Sequence, residues 1–178
     1  PTDVAFGTDG KIYVSDGLNH RVQIYDAQRQ YLATLGTTGS SGNGDNEFNF
    51  PCDVAVDTDG KIYVADRNNR RIQIFYADYS YASSIAVPEG SGKSVGPIKV
   101  AVADGKVYVL NVANLVQIFN TDGTSVTSFG SSGDGENQFN SPHGLAVDAS
   151  GKIYVADNGN NRVQIYNNDY TYLATIGE

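Results

Sequence analysis

Apolar and polar positions alternate in short bursts along this chain, and the bursts come in groups of four. In the first group they are Val4-Ala5-Phe6, Lys11-Ile12-Tyr13-Val14, Arg21-Val22-Gln23-Ile24-Tyr25 and Tyr31-Leu32-Ala33-Thr34-Leu35. A two-residue period puts successive side chains on opposite faces, so it predicts β-strands rather than helices. β-Branched and aromatic residues fill the bursts, as half-buried pleated positions prefer. Thr8-Asp9-Gly10 and Asp26-Ala27-Gln28 separate them and read as tight turns. Thr58-Asp59-Gly60 and Ala149-Ser150-Gly151 repeat the first of these turns, each with a glycine available for positive φ. No stretch has helical periodicity.

The whole group then recurs. Residues 142–166, PHGLAVDASGKIYVADNGNNRVQIY, align almost letter by letter with residues 51–75, PCDVAVDTDGKIYVADRNNRRIQIF, and with residues 1–25, PTDVAFGTDGKIYVSDGLNHRVQIY. A more diverged copy occupies residues 97–119, PIKVAVADGKVYVLNVANLVQIF. The prolines opening the copies stand at 1, 51, 97 and 142, spacings of 50, 46 and 45, which fit four short strands with their turns. A meander of that size cannot bury both faces alone. Radial packing of such sheets as the blades of a β-propeller is one standard solution. A parallel β-helix needs a shorter repeat per coil. The expected fold is all-β, a single domain over residues 1–178 with four four-stranded blades at approximately 1–36, 51–86, 97–130 and 142–177.

Three segments carry a family resemblance: the connector Gly-x-Gly-x-Asn-x-Phe-Asn-x-Pro of residues 42–51 and 133–142, the strand Gly-Lys-Ile-Tyr-Val-Ala-Asp, and Asn-x-Arg-Val-Gln-Ile-Tyr. Together they resemble the NHL repeat, and Asn19-His20 stands in the corresponding place in the first copy. The resemblance implies a β-propeller, commonly six-bladed, of a kind found in adaptor proteins, bacterial sensor ectodomains, secreted proteins and an amidating lyase. Four repeats make either a four-bladed form or part of a larger one. The resemblance does not choose among those functions.

Composition narrows the classes. Twenty acidic residues against twelve Lys and Arg leave a net charge of −8, the wrong sign for a nucleic-acid partner. No apolar run approaches the ~20 residues that span a bilayer, and no charged-then-apolar N-terminal segment marks a signal peptide. The chain has no methionine, which predicts that it is processed or cut from something longer. Its one cysteine, Cys52, cannot form an internal disulfide. Abundant Tyr, Asn, Gly and Ser point to an extracellular or cell-surface setting.

The repeats also carry candidate chemistry. Asp16 and Arg21, Asp66 and Arg71, and Asp157 and Arg162 share one spacing across the turn between strands two and three. In the diverged copy Asn111 and Leu115 replace both partners together, so the pairs are expected to serve each other structurally rather than a ligand. The Gly-rich connectors lack the lysine and helix of a phosphate loop and carry carboxylates that repel anions. They read as inter-blade connections whose Phe48 and Phe139 plug the gap between sheets. Asp57-Thr58-Asp59-Gly60 begins like a calcium loop, but Asn68 stands where the bidentate Glu is needed, so a turn is expected. Cys52 and His143 share one repeat position with Thr2 and Ile98, and Asp3 and Asp53 are the further side chains that could join them around a metal. Two soft ligands fall short of a metal site. No Ser-His-Asp spacing is present, so no catalytic residue, metal or cofactor is assigned.

Meander topology puts the turn between strands two and three at the same end as the connector to the next blade. Long variable loops on a rigid scaffold are where binding resides. The candidate binding face therefore comprises Thr2, Asp3, His20, Cys52, Asp53, Arg67, Asn68, Asn69, Arg70, Lys99, His143, Asn160 and Asn161. The expected function is non-enzymatic recognition or assembly, with a protein, peptide or glycan as partner. The alternatives are a metal-dependent propeller enzyme of the amidating-lyase or lactonase kind, with its site at the channel mouth, and a structural repeat unit of an extracellular assembly. The first repeat has no Phe-bearing connector before it. The expectation is a longer repeat array, or neighbouring copies covering the end blades.

Overall fold

A computed structural model describes residues 1–88 and 96–177. It is all-β, with four antiparallel four-stranded sheets, each a meander in chain order. Blade one contains β1 (Asp3–Phe6), β2 (Ile12–Asp16), β3 (Arg21–Tyr25) and β4 (Tyr31–Gly36). Blade two contains β5 (Pro51–Val56), β6 (Ile62–Asp66), β7 (Arg71–Phe75) and β8 (Tyr81–Ala86). Blade three contains β9 (Pro97–Ala103), β10 (Lys106–Asn111), β11 (Val116–Asn120) and β12 (Ser125–Phe129). Blade four contains β13 (Gly144–Val147), β14 (Ile153–Asp157), β15 (Arg162–Tyr166) and β16 (Tyr172–Gly177). The chain divides into two compact units, Pro1–Pro88 and Glu89–Glu178.

The second strand of each blade runs further than alternation predicts, out to Asp16, Asp66, Asn111 or Asp157. In three blades the reason is cross-strand pairing: Asp16 lies opposite Arg21, Asp66 opposite Arg71 and Asp157 opposite Arg162. The turn between strands one and two needs a left-handed residue, and glycine supplies it in Gly10 (φ 79°), Gly60 (81°) and Gly151 (79°). The turn between strands three and four has the same requirement without the same residue. Arg29, Tyr79 and Tyr170 adopt φ near 70° there, while blade three uses Gly123. Tyr79 and Tyr170 turn this to use, since each packs against the core of its unit. Short 3-10 turns, Gly17–Asn19, Arg67–Asn69 and Asn158–Asn160, join strands two and three, each closed by a left-handed residue. Among the described residues no helix is long and apolar enough to cross a membrane.

Each unit has its own core, built the same way. In the first, Tyr13, Val22, Ile24 and Leu35 from one face of blade one meet Val54, Ile62, Val64 and Phe75 of blade two. Phe48 from the connector lies between them, fully buried, its ring 5.9 Å from that of Phe75. In the second, Tyr108, Leu110, Val116 and Ile118 of blade three meet Ile153, Val155 and Tyr166 of blade four. Phe139 is the wedge there, 6.2 Å from Tyr166 and 6.5 Å from Phe129. Burying one such aromatic side chain is worth about 1.5–3 kcal/mol, so the connector is a principal contributor to inter-blade cohesion.

Candidate functional site

The connectors set a physical problem. Their glycine-rich backbone runs beside the sheets rather than within them, so its carbonyls and amides have no strand partners, and buried backbone polar groups must be paired. The repeated charged residues solve this. In blade two, the fully buried Asp66 accepts the Asn49 N–H at 2.7 Å on one oxygen. Its other oxygen accepts the Asn69 amide and Arg71 Nε, both at 2.8 Å. Arg71 is thereby aimed at the connector, donating to the carbonyls of Asn43, Gly44 and Glu47 at 2.8 Å each. Asn69 gives its amide also to Gly42 O at 2.7 Å. A guanidinium has five donors in a fixed fork, which is why one Arg can serve three carbonyls and a carboxylate together.

Blade four repeats the frame. Asp157 accepts from Asn140 N–H (2.7 Å), the Asn160 amide (2.8 Å) and Arg162 Nε (2.9 Å). Arg162 donates to Gly135 O and Gln138 O at 2.7 and 2.9 Å, and Asn160 to Gly133 O at 2.9 Å. In blade one Arg21 and Asn19 both donate to Asp16 at 2.9 Å. Partial burial pushes the Asp16 carboxyl up, but these hydrogen bonds together with the Pro1 ammonium outweigh it, and the net position is below the usual carboxylate range. Blade three replaces the ion pair with a neutral cap. Asn111 donates to Gln117 Oε1 and accepts the Ala113 N–H, both at 2.9 Å, so no cation is needed and Leu115 stands in the arginine position.

Two participants were not singled out by sequence reading. Gln73 accepts the Asn46 N–H at 3.1 Å and donates to Glu47 O, and Gln164 likewise accepts from Asn137 at 3.2 Å and donates to Gln138 O at 2.6 Å. The signal was present: glutamine recurs at 23, 73, 117 and 164, a polar residue at one position of an apolar strand in every copy.

The predicted face divides accordingly. Asn69 and Asn160 belong to the frame. Asn68 is exposed yet tied to the connector, through its N–H to Asn49 O at 3.0 Å and its amide to Asn49 Oδ1 at 3.1 Å. His20 Nδ1 accepts the Phe50 N–H at 3.2 Å. Arg67 lies over the Phe50 ring, 6.0 Å from its centroid. Arg70 and Asn161 are exposed at the left-handed ends of their turns. Leu18, absent from the predicted set, is 81% exposed at the equivalent tip of blade one. Thr2 Oγ1 bonds Ser15 O at 3.2 Å and Pro51 O at 3.1 Å. Cys52 Sγ lies 3.6 Å from Ala65 O and His143 Nδ1 2.7 Å from Ser141 O. Cys52 belongs to the first unit and His143 to the second. Asp3 and Lys99 are half-buried and Asp53 is buried. Among the described residues no three His, Cys, Asp or Glu side chains are grouped to hold a metal ion.

At the opposite end the calcium-like loop is a carboxylate-braced turn. Asp57 Oδ1 accepts the N–H groups of Asp59 and Lys61 at 2.9 Å, and Tyr63 donates its hydroxyl to Oδ2 at 3.0 Å. Asp148 does the same for Ser150, Lys152 and Tyr154. The Ser150 hydroxyl is the main cause that brings the Asp148 carboxyl down to about 2. Tyr63 is held above its ordinary value, first by burial and then by the Asp57 charge.

Four meandering blades wedged by connector aromatics define a protein of the β-propeller class. The NHL repeat family matches residues 1–25, 48–75 and 139–166. The chain therefore carries NHL repeats at these three segments, which lie in blades one, two and four. It is 43% identical over 70 residues to the E3 ubiquitin-protein ligase TRIM71 of Rattus norvegicus, a stretch covering 39% of this chain and 7% of that protein. It is 31% identical over 78 residues to NHL repeat-containing protein 3 of Homo sapiens, covering 41% of this chain and 22% of that one. Among solved structures, a virginiamycin B lyase from Staphylococcus aureus with quinupristin superimposes with a TM-score of 0.75 at 12% identity, over 98% of this chain and 54% of the lyase. At that identity the likeness speaks to fold alone.

Proposed function

We propose that this chain is a non-enzymatic recognition module that binds a protein or peptide through the connector end of its blades. One observation carries the reading: in blades two and four the charged residues that recur at that end already serve the connectors, while the residues between them change from blade to blade. The frame Asp-x-x-Asn-x-Arg is common to residues 16–21, 66–71 and 157–162, and its interposed residues are Gly-Leu-His, Arg-Asn-Arg and Asn-Gly-Asn. A constant scaffold under variable tips is how loop surfaces acquire specificity. Similarity to a ubiquitin-protein ligase and to a second NHL-repeat protein supports a protein partner over a small substrate.

The test is selection from a random peptide library on the immobilised chain, followed by affinity measurement on variants. Enriched peptides should lose binding to a Leu18→Glu/Arg67→Glu double variant and keep it with Asp9→Ala, at the opposite end. Absence of enrichment, or equal binding by both variants, refutes the reading.

A further inference from the structure

The loop tips at the connector end differ in charge. Residues 17–20, Gly-Leu-Asn-His, and 158–161, Asn-Gly-Asn-Asn, contain no Lys, Arg, Asp or Glu, whereas residues 67–70, Arg-Asn-Asn-Arg, contain two arginines. Frame duty does not account for Arg67. The frame arginines are Arg21, Arg71 and Arg162, each beside its aspartate, and among the described residues no carboxylate pairs with Arg67. Its half-buried guanidinium lies instead over the Phe50 ring, 6.0 Å from the centroid.

Phe50 is itself an unusual choice. It precedes Pro51 with φ of 60°, a left-handed conformation that a bulky side chain rarely adopts. Blade four has the same backbone at the same place, φ 48° before Pro142, and fills it with Ser141. The connector therefore needs the conformation and not the aromatic ring. The phenylalanine is nonetheless held on both sides of Arg67's approach. His20 Nδ1 accepts its N–H at 3.2 Å, and the ring edge rests by Gly17, where an added Cβ would lie 3.4 Å from it. A bulky residue kept at a strained position that serine fills elsewhere points to a use for its ring.

The use follows from what the ring supports. A guanidinium held over an aromatic face is attracted to it and already ordered, so less freedom is lost when an anion arrives. Its planar fork of donors matches one carboxylate bidentately. The chain as a whole carries a net charge of −8, which repels a polyanion, while one carboxylate among neutral residues meets chiefly the local field of Arg67 and Arg70.

We infer, resting on recognition at the connector end, that the Arg67–Phe50 stack is the carboxylate-binding point of that face. The partner peptide then carries one Asp or Glu flanked by neutral residues, and the Arg67 fork takes its carboxylate.

The probes are two phage-displayed heptapeptide libraries, one with glutamate and one with glutamine fixed at the centre, both without Asp or Glu elsewhere, panned on the immobilised chain. The glutamate library should enrich and the glutamine library should not. The best glutamate peptide, resynthesised with a fluorescent label, should bind saturably in anisotropy titrations, and its glutamine form about tenfold more weakly. Arg67→Gln should cost the same tenfold with the glutamate peptide and nothing further with the glutamine form. Arg67→Lys keeps the charge without the fork and should stay severalfold weaker than the parent chain. Phe50→Leu keeps apolar bulk without the aromatic face and should also weaken binding severalfold. Added salt should weaken the glutamate peptide and spare the glutamine form. Thermal unfolding of the Arg67 variants should match the parent chain, since Arg67 lies outside the frame. Equal enrichment from both libraries, or a glutamate peptide indifferent to Arg67→Gln, overturns this inference and leaves connector-end recognition standing. Enrichment from neither library overturns it too, and the unrestricted library then decides whether that face binds peptides at all.

Discussion

Removing the blade-four carboxylate should be among the more damaging single changes in this protein, and a double-mutant cycle can show why. Asp157→Ala deletes a fully buried acceptor of three close hydrogen bonds, from Asn140 N–H, the Asn160 amide and Arg162 Nε. The Asn140 N–H then loses its partner, at about 1–3 kcal/mol for a buried donor. Arg162 keeps its connector carbonyls, which softens the loss of its counter-charge. The expected total is about 3–4 kcal/mol, at the lower end of the cost of breaking a buried pair. Arg162→Ala leaves the buried carboxylate without its counter-charge, while Gln138 O keeps the Gln164 amide and Gly135 O the Gln138 N–H, so it should cost about 3–5 kcal/mol. The double variant should be less destabilised than the sum by about 1.5–3 kcal/mol, the worth of one charge-assisted hydrogen bond. The assay is urea unfolding at pH 7, followed by far-ultraviolet circular dichroism and by tyrosine fluorescence, which twelve Tyr and no Trp make clean. Strict additivity of the two singles would mean that Asp157 and Arg162 do not act together, and the frame described here would be wrong.

Other outcomes follow from the same geometry. Phe48→Ala should cost about 3–5 kcal/mol as a large-to-small change at a fully buried wedge, read from the urea midpoint. Gly36→Ala should cost about 1–3 kcal/mol of backbone strain alone, because φ is 86° and the new methyl would lie 2.5 Å from His20 O; a Tm unchanged within a degree would refute it. Asp148 titrates below its ordinary value, so its contribution is intact above about pH 4 and is lost as pH falls towards about 2. Carboxyl-carbon NMR should show that depressed midpoint, and Ser150→Ala should raise it, since the Ser150 hydroxyl is the largest cause.

Much of the architecture was legible from the chain alone because it is written in local terms. Two-residue alternation predicts strands wherever one face is to be buried, and a glycine at 10, 60 and 151 predicts a turn because few other residues tolerate its φ. Repetition multiplied those weak local signals into a blade count. The Asp–Arg spacing was legible for the same reason, through the joint loss of both partners in the copy with Asn111 and Leu115.

Other features depended on contacts between segments far apart in sequence, which no local pattern encodes. Asn69 and Asn160 look like exposed loop residues until the connector, 27 positions earlier, is found against them. Gln73 and Gln164 look like ordinary polar strand positions, yet each is buried because connector backbone groups fall opposite it. Tyr79 and Tyr170 accept left-handed backbone in a turn where glycine would be expected, because each side chain reaches the core of its unit.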